Sequence, residues 1–284
     1  MCRWLAYSGA AIRPALLILD TRHSLVAQSL NSPLGAEPVN GDGFGVGWYP
    51  MTDAAPPGSA VEPALFHSIE PAWHDENLRE LTRAIESPLF FAHVRAAAGP
   101  PIQQTNCHPF RHGKWLFMHN GALAHLSRMR RDLMLALDPE LFPLVHGTTD
   151  SELVFYLAIT YGLQDDPVAG LGRAVRRIEE IADAHGIRDA VQGTFAVSDG
   201  QTMWAFRYST MHRTRTLFAS ADMATLQAMY PDMERLRVFD AGARVVVSEP
   251  LTDLPGAFVE IEESTVVTLD ADGMREAPFL RDAA

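Results

Sequence analysis

Residues 40–49 read Asn40-Gly41-Asp42-Gly43-Phe44-Gly45-Val46-Gly47-Trp48-Tyr49. Glycine returns at 41, 43, 45 and 47, which is the two-residue period of a β-strand. Such a glycine run marks a strand that another backbone or a ligand approaches closely. Its surroundings are strand-like as well. Pro88–Ala96 (PLFFAHVRA) and Lys114–His119 (KWLFMH) read as short buried strands. The second runs into Asn120-Gly121, a turn dipeptide. Ala15–Leu19 and Leu25–Leu30 are apolar and read as extended.

Two helices follow. Thr149-Asp150-Ser151-Glu152 has capping-box spacing ahead of the apolar stretch LVFYLAIT, and Gly162 is a stop. Val168, Leu171, Val175, Ile178 and Ile181 then recur at three- and four-residue steps, with arginines and glutamates on the opposite side, up to Gly186. The remaining chain returns to short strands: Thr194–Val197, Met203–Tyr208, Thr216–Ser220, Ala243–Ser248, Phe258–Glu262 and Thr265–Leu269. The order β-rich, helical, β-rich predicts an α+β fold with its helices packed together on a sheet. No fixed-period repeat or domain linker interrupts it. The proline-rich segment Met51–Pro63 reads as a surface loop that could reshape access to a site, so residues 2–284 are expected to form one domain.

Composition narrows the function. Of 284 residues, 47% are apolar and 20% charged, which is ordinary globular usage. The net charge of −12 repels phosphate backbones and anionic lipid, so neither nucleic acid nor a membrane surface is an expected partner. Two cysteines, Cys2 and Cys107, make neither a disulfide framework nor a four-thiolate zinc site. No apolar run approaches the ~18 residues of a membrane span. The opening MCRWLAYSGA lacks the layout of a signal peptide. A reduced cytoplasmic setting is expected.

Cys2 carries the most chemistry. Removal of the initiator methionine would leave an α-amine and a thiol on one residue. Their ordinary pKa values, about 7.7–8.0 and about 8.5, suit proton exchange near neutral pH. The amine can then take the thiol proton and later return one to a leaving amine. The plainer alternative is a small buried residue at the start of a strand.

Six segments in order give this context: MCRWL, NGDGFGVGWY, HVRAA, NCHPF, HNGAL and TTDSE, all within residues 2–155. Together they resemble the class II, N-terminal-nucleophile glutamine amidotransferases. Within these they resemble the stand-alone branch that includes the γ-glutamyl hydrolase of ergothioneine biosynthesis. The resemblance implies a four-layer αββα sandwich and a thiol amidohydrolase or glutaminase that acts on a small-molecule γ-glutamyl amide. It implies Cys2 as nucleophile, with the Asn120 side-chain amide and the Gly121 N–H stabilising the oxyanion. Arg95 would hold the substrate α-carboxylate and Asp150 its α-ammonium, with Asn40, Gly41 and Asp42 in the glycine-rich strand beside them. Plainer readings stand next to these: a strand-end ion pair for Arg95, a helix-dipole contact for Asp150, and a hairpin turn for Asn120-Gly121. Two other functions fit the pattern: a glutaminase subunit that passes ammonia to a separate synthase, and a silent scaffold that binds an amino acid or a protein. No cofactor is implied. A metal is not expected either. His108 and His112 are four apart, but His108 precedes a proline and no carboxylate or thiol completes a ligand set. Cys107 reads as a buried thiol, and Trp4 and Trp48 as core or as the walls of a pocket.

Overall fold

The computed structural model describes residues 2–35, 37–51, 61–97 and 99–280. The middle of the Met51–Pro63 segment, residues 52–60, lies outside them.

Arg3–Ile12 forms β1. Leu5 and Tyr7 face one side of it and Trp4 and Ala6 the other, and all four are fully buried. After β1 come α1 (Ala15–Ile18), α2 (Leu25–Leu30), β2 (Phe44–Trp48), β3 (Ala64–Ser68), α3 (Glu76–Ala84) and β4 (Ser87–Val94). The middle of the chain holds β5 (Phe110–His112), β6 (Trp115–Leu123), α4 (Leu126–Leu135), α5 (Asp150–Thr160) and α6 (Pro167–Ala184). The rest comprises β7 (Val191–Ser198), β8 (Met203–Ser209), β9 (Phe218–Ser220), α7 (Met223–Met229), β10 (Arg244–Val247), β11 (Phe258–Glu260), β12 (Thr265–Asp270) and β13 (Gly273–Pro278).

The strands form two antiparallel sheets. One has the order β11-β9-β10-β1-β4-β2-β3 and the other β13-β12-β8-β7-β6-β5. Their inner faces meet through Trp4, Phe91, Leu116, Met118, Ala205 and Val267. Helices α4, α5 and α6 cover the outside of the six-stranded sheet, where Phe155 stacks on Phe117. Helices α1, α2, α3 and α7 cover the outside of the seven-stranded sheet. The result is the four-layer αββα arrangement of an α+β fold. Among the described residues, no helix is long and apolar enough to cross a membrane.

Two local expectations are corrected. Ala15–Leu19 and Leu25–Leu30 are not extended; they contain α1 and α2. A short apolar run has no period to tell strand from helix. For α2 the deciding feature is Ser24, whose side chain caps the helix by accepting from Ala27 N at 3.2 Å. Asn120-Gly121 is not a turn either. β6 runs straight through it to Leu123, with Asn120 opposite Thr194 and Gly121 opposite Gly193. The two facing glycines make room for the His119 ring, because a Cβ on either would lie 2.4–2.5 Å from His119 Nε2.

The glycine strand has the close neighbour its sequence predicts. The Cys107-His108-Pro109 turn lies across β2, and a Cβ on Gly45 would sit 2.1 Å from His108 O. Thr149 also caps α5 as expected, accepting from Glu152 N at 3.3 Å.

Candidate active site

β1 carries Cys2 at its leading end. The β1–β4 register pairs Arg3 with Val94 and Trp4 with His93, so Cys2 falls at the level of Arg95. Side chains alternate along a strand, so Cys2 shares the inter-sheet face of Trp4 and Ala6. Its Sγ lies 3.9 Å from Ala96 O. The Cys2 carbonyl is pinned by Arg3 Nη1 at 2.7 Å, and Arg3 is itself held by a buried ion pair with Glu249 at 2.5 Å. Gln28 Nε2 in turn donates to Glu249 O at 3.1 Å. Burial pushes the Cys2 thiol up. A backbone hydrogen bond with Ala96, the chain's amino group and the Arg95 cation pull it back, and Asp150 adds to the rise.

Arg95 follows β4 directly. Its backbone is clamped to the glycine segment: Arg95 N donates to Gly43 O at 2.8 Å, and Asp42 N to Arg95 O at 2.9 Å. The Asp42 carboxylate accepts from Ala97 N at 2.7 Å. Arg95 as a whole is only 3% exposed, and its guanidinium is buried with it. It meets the carbonyls of Asp42, Pro100 and Pro101 at 3.3–3.4 Å, and no described carboxylate lies within ion-pair distance. A buried cation without a counter-ion is costly, and a planar guanidinium in that state suits an incoming carboxylate. The strand-end ion pair considered for Arg95 is absent among the described residues.

Asn40 and Gly41 lie just ahead of β2, and among the described residues the buried Asn40 Oδ1 has no hydrogen-bond partner. The Asn40 amide donates to Ser32 Oγ at 3.0 Å, and the ring of Trp73 covers the Gly41 Cα.

On the facing sheet, β6 presents Asn120 to the inter-sheet space, in line with Leu116 and Met118. Its side chain is fully buried, yet among the described residues neither Nδ2 nor Oδ1 has a hydrogen-bond partner. Buried polar side chains are normally paired, so this amide is free to donate. The direction of the Gly121 N–H follows from the ladder. Ala124 N donates across to Ala190 O on the β7 side, while Leu123 N donates away from it, to Asp150 Oδ2 at 2.8 Å. N–H groups two residues apart in a strand share an edge, so the Gly121 N–H faces the Asp150 edge. β5 pairs with β6 only between Phe117 and Trp115, so among the described residues no strand covers that edge at Gly121.

Asp150 is the first residue of α5. Its Oδ1 accepts from Ser151 N at 2.8 Å, and the helix dipole favours its charge. The dipole contact is therefore real, but a carboxylate has further lone pairs for a ligand. The surrounding loop is tied down by Asn106, to which the sequence analysis gave no role, and by Glu152, which reaches the loop backbone. Asn106 Oδ1 accepts from Thr148 N at 2.8 Å, and Glu152 accepts from His146 N and Gly147 N. His119 Nδ1 and Ser151 Oγ share a hydrogen bond of 2.9 Å. Cys107 is buried, and burial pushes its thiol up to about 11. Among the described residues no cluster is placed to hold a metal ion.

His93 and His108 are buried and stack with their ring centroids 4.2 Å apart. Burial pulls both down, His93 to about 3 and His108 well below its ordinary value, and Arg95 acts in the same direction. The sign of the pH effect follows. Below about 6.5 the unfolded chain binds protons that the folded rings refuse. Their contribution to stability is thus complete above the unfolded value and is lost as pH falls towards the folded one. Each ring contributes a slope of up to about 1.4 kcal/mol per pH unit. The urea midpoint is expected to hold down to about pH 6.5 and to fall by about pH 5; a flat midpoint over that interval would contradict this reading.

A family model described as class II glutamine amidotransferases matches residues 20–273. The probable glutamine amidotransferase DUG3 of Saccharomyces cerevisiae is 33% identical over 296 residues, covering 95% of this chain and 82% of that protein. The γ-glutamyl-hercynylcysteine sulfoxide hydrolase of Mycolicibacterium smegmatis is 26% identical over 258 residues, covering 88% of this chain and all of that protein (100%). The solved structure of a glutamine aminotransferase class-II domain protein from Silicibacter pomeroyi is 30% identical with a TM-score of 0.69, covering 99% of this chain and 100% of that one. With a family match over most of its length and an αββα architecture, the chain belongs to the class II glutamine amidotransferases and is an enzyme of the amidohydrolase type.

Proposed function

We propose that this enzyme cleaves the γ-glutamyl amide of glutamine or of a γ-glutamyl conjugate through a thioester on Cys2. With Met1 removed, the Cys2 α-amine takes the thiol proton and the thiolate attacks the side-chain carbonyl. The Asn120 amide and the Gly121 N–H donate to the oxyanion. Collapse of the tetrahedral intermediate breaks the C–N bond, and the leaving amine takes its proton from the Cys2 ammonium. Water, deprotonated by the same amine, then attacks the thioester and releases glutamate. Arg95 receives the substrate α-carboxylate and Asp150 its α-ammonium.

The observation that carries this reading is the buried amide of Asn120, which has no partner among the described residues, with the adjacent Gly121 N–H directed to the strand edge that holds Asp150. A relative named as a γ-glutamyl-hercynylcysteine sulfoxide hydrolase supports the choice of bond. The test is glutamate release from L-glutamine, a γ-glutamyl anilide and a γ-glutamyl dipeptide, with L-asparagine as the one-carbon-shorter control. Release from at least one γ-glutamyl compound and no aspartate from asparagine is expected. Silence towards all of them, or equal rates on asparagine, would refute the reading.

A further inference from the structure

We propose that Thr194 is a positioning residue that couples the nucleophile strand to the oxyanion-binding peptide; this rests on the roles given above to Cys2 and to Asn120-Gly121. Trp4 lies two residues after Cys2 on the same face of β1. Its indole Nε1–H crosses the inter-sheet space and donates to Thr194 Oγ1 at 3.0 Å. Trp4 and Thr194 are both 0% exposed, so no solvent competes for that bond. The hydroxyl of Thr194 then has its own proton to place, and Asn120 O lies 3.5 Å away. Thr194 is also the register partner of Asn120.

The carbonyl of Asn120 and the N–H of Gly121 belong to one planar peptide unit. Anchoring that carbonyl therefore orients the N–H that faces the substrate edge. A donor on the carbonyl also polarises the peptide and strengthens its N–H as a donor, as hydrogen bonds in series do. One hydroxyl thus ties the two sheets together beside the reaction centre and adds a contact to the carbonyl of the oxyanion-binding peptide, which the ladder already pairs with Thr194. Another side-chain link between the sheets, from Tyr49 Oη to Ser198 O at 2.9 Å, sits at the last residue of β7, four residues beyond Thr194.

The experiment compares Thr194→Val, Thr194→Ser and Trp4→Phe in the full chain, with Cys2→Ala and Asn120→Ala assayed beside them. Two inhibitors separate ground state from transition state. Glutamate reports the binding of the amino-acid end. The γ-aldehyde of glutamate adds the Cys2 thiol to its carbonyl and places an oxyanion at Asn120-Gly121. Thr194→Val is expected to lower kcat and to weaken the aldehyde by about tenfold each, with KM and glutamate affinity within about twofold. Thr194→Ser keeps the hydroxyl and is expected to recover most of the loss, and Trp4→Phe to show the same split as Thr194→Val. The inference fails if Cys2→Ala and Asn120→Ala are silent while Thr194→Val matches wild type. It also fails if serine rescues nothing, or if glutamate affinity drops in parallel with the aldehyde. Wild-type hydrolysis by Cys2→Ala would instead overturn the active-site reading, and this inference with it.

Discussion

Cys2→Ala is expected to reduce hydrolysis of γ-glutamyl amides to the assay background. Removing a hydrolase nucleophile forfeits a factor on the order of 10⁶, and no other described group can take over the attack. The second thiol, Cys107, is buried, has its proton directed at Ser68 O at 3.4 Å and is pushed up to about 11. It holds little thiolate at neutral pH. Alanine is small enough to leave removal of Met1 intact, so the variant isolates the thiol from the amine. Its fold should be unchanged, because β1 is held by residues downstream: Trp4 N donates to Ser248 Oγ at 3.1 Å, and Arg3 pairs with Glu249. Steady-state glutamate release and the thermal unfolding midpoint check both halves. Retained turnover in a folded variant would contradict the account.

Arg95→Gln is expected to lower kcat/KM by about 10²–10³, almost wholly through KM. Truncating one partner of a buried, hydrogen-bonded charge pair costs about 2–5 kcal/mol, and each 1.4 kcal/mol is about tenfold. The α-carboxylate bound by Arg95 is remote from the breaking bond and feels the same contact in ground and transition states, so kcat is spared. The folded protein should tolerate the change. The guanidinium meets only three carbonyls, at 3.3–3.4 Å, and glutamine relieves an uncompensated buried charge. A fall in kcat at unchanged KM would instead place Arg95 at the reacting carbonyl.

The α+β fold class was legible in the sequence, and its local elements were legible where neighbouring residues decide them. Gly43, Gly45 and Gly47 are small for the reason their spacing suggests: a turn lies against them. Thr149 caps α5 because a hydroxyl followed by Glu152 is a local arrangement, readable from neighbours. The sequence misleads where the deciding contact is distant, α2 with its adjacent Ser24 cap being the exception. Residues 15–18 are helical, but their apolar run has no period and only the packing of the outer layer decides it. Asn120-Gly121 has the composition of a tight turn. What keeps it extended is the β7 strand and the His119 ring, which needs Gly121 and Gly193 to face each other. Thr194 is silent in the sequence, a threonine in a strand, because its function depends on an indole 190 positions away. Arg3 and Glu249 escape notice in the same way.

The most direct test of the central claim is the intact mass of the protein before and after treatment with a glutamine-like diazoketone, followed by peptide mapping. The account predicts a chain that has lost Met1 and gains a single adduct on Cys2, with labelling suppressed by competing glutamine and Cys107 unmodified. A chain that keeps Met1 and takes no adduct, or one labelled on Cys107 alone, would contradict it.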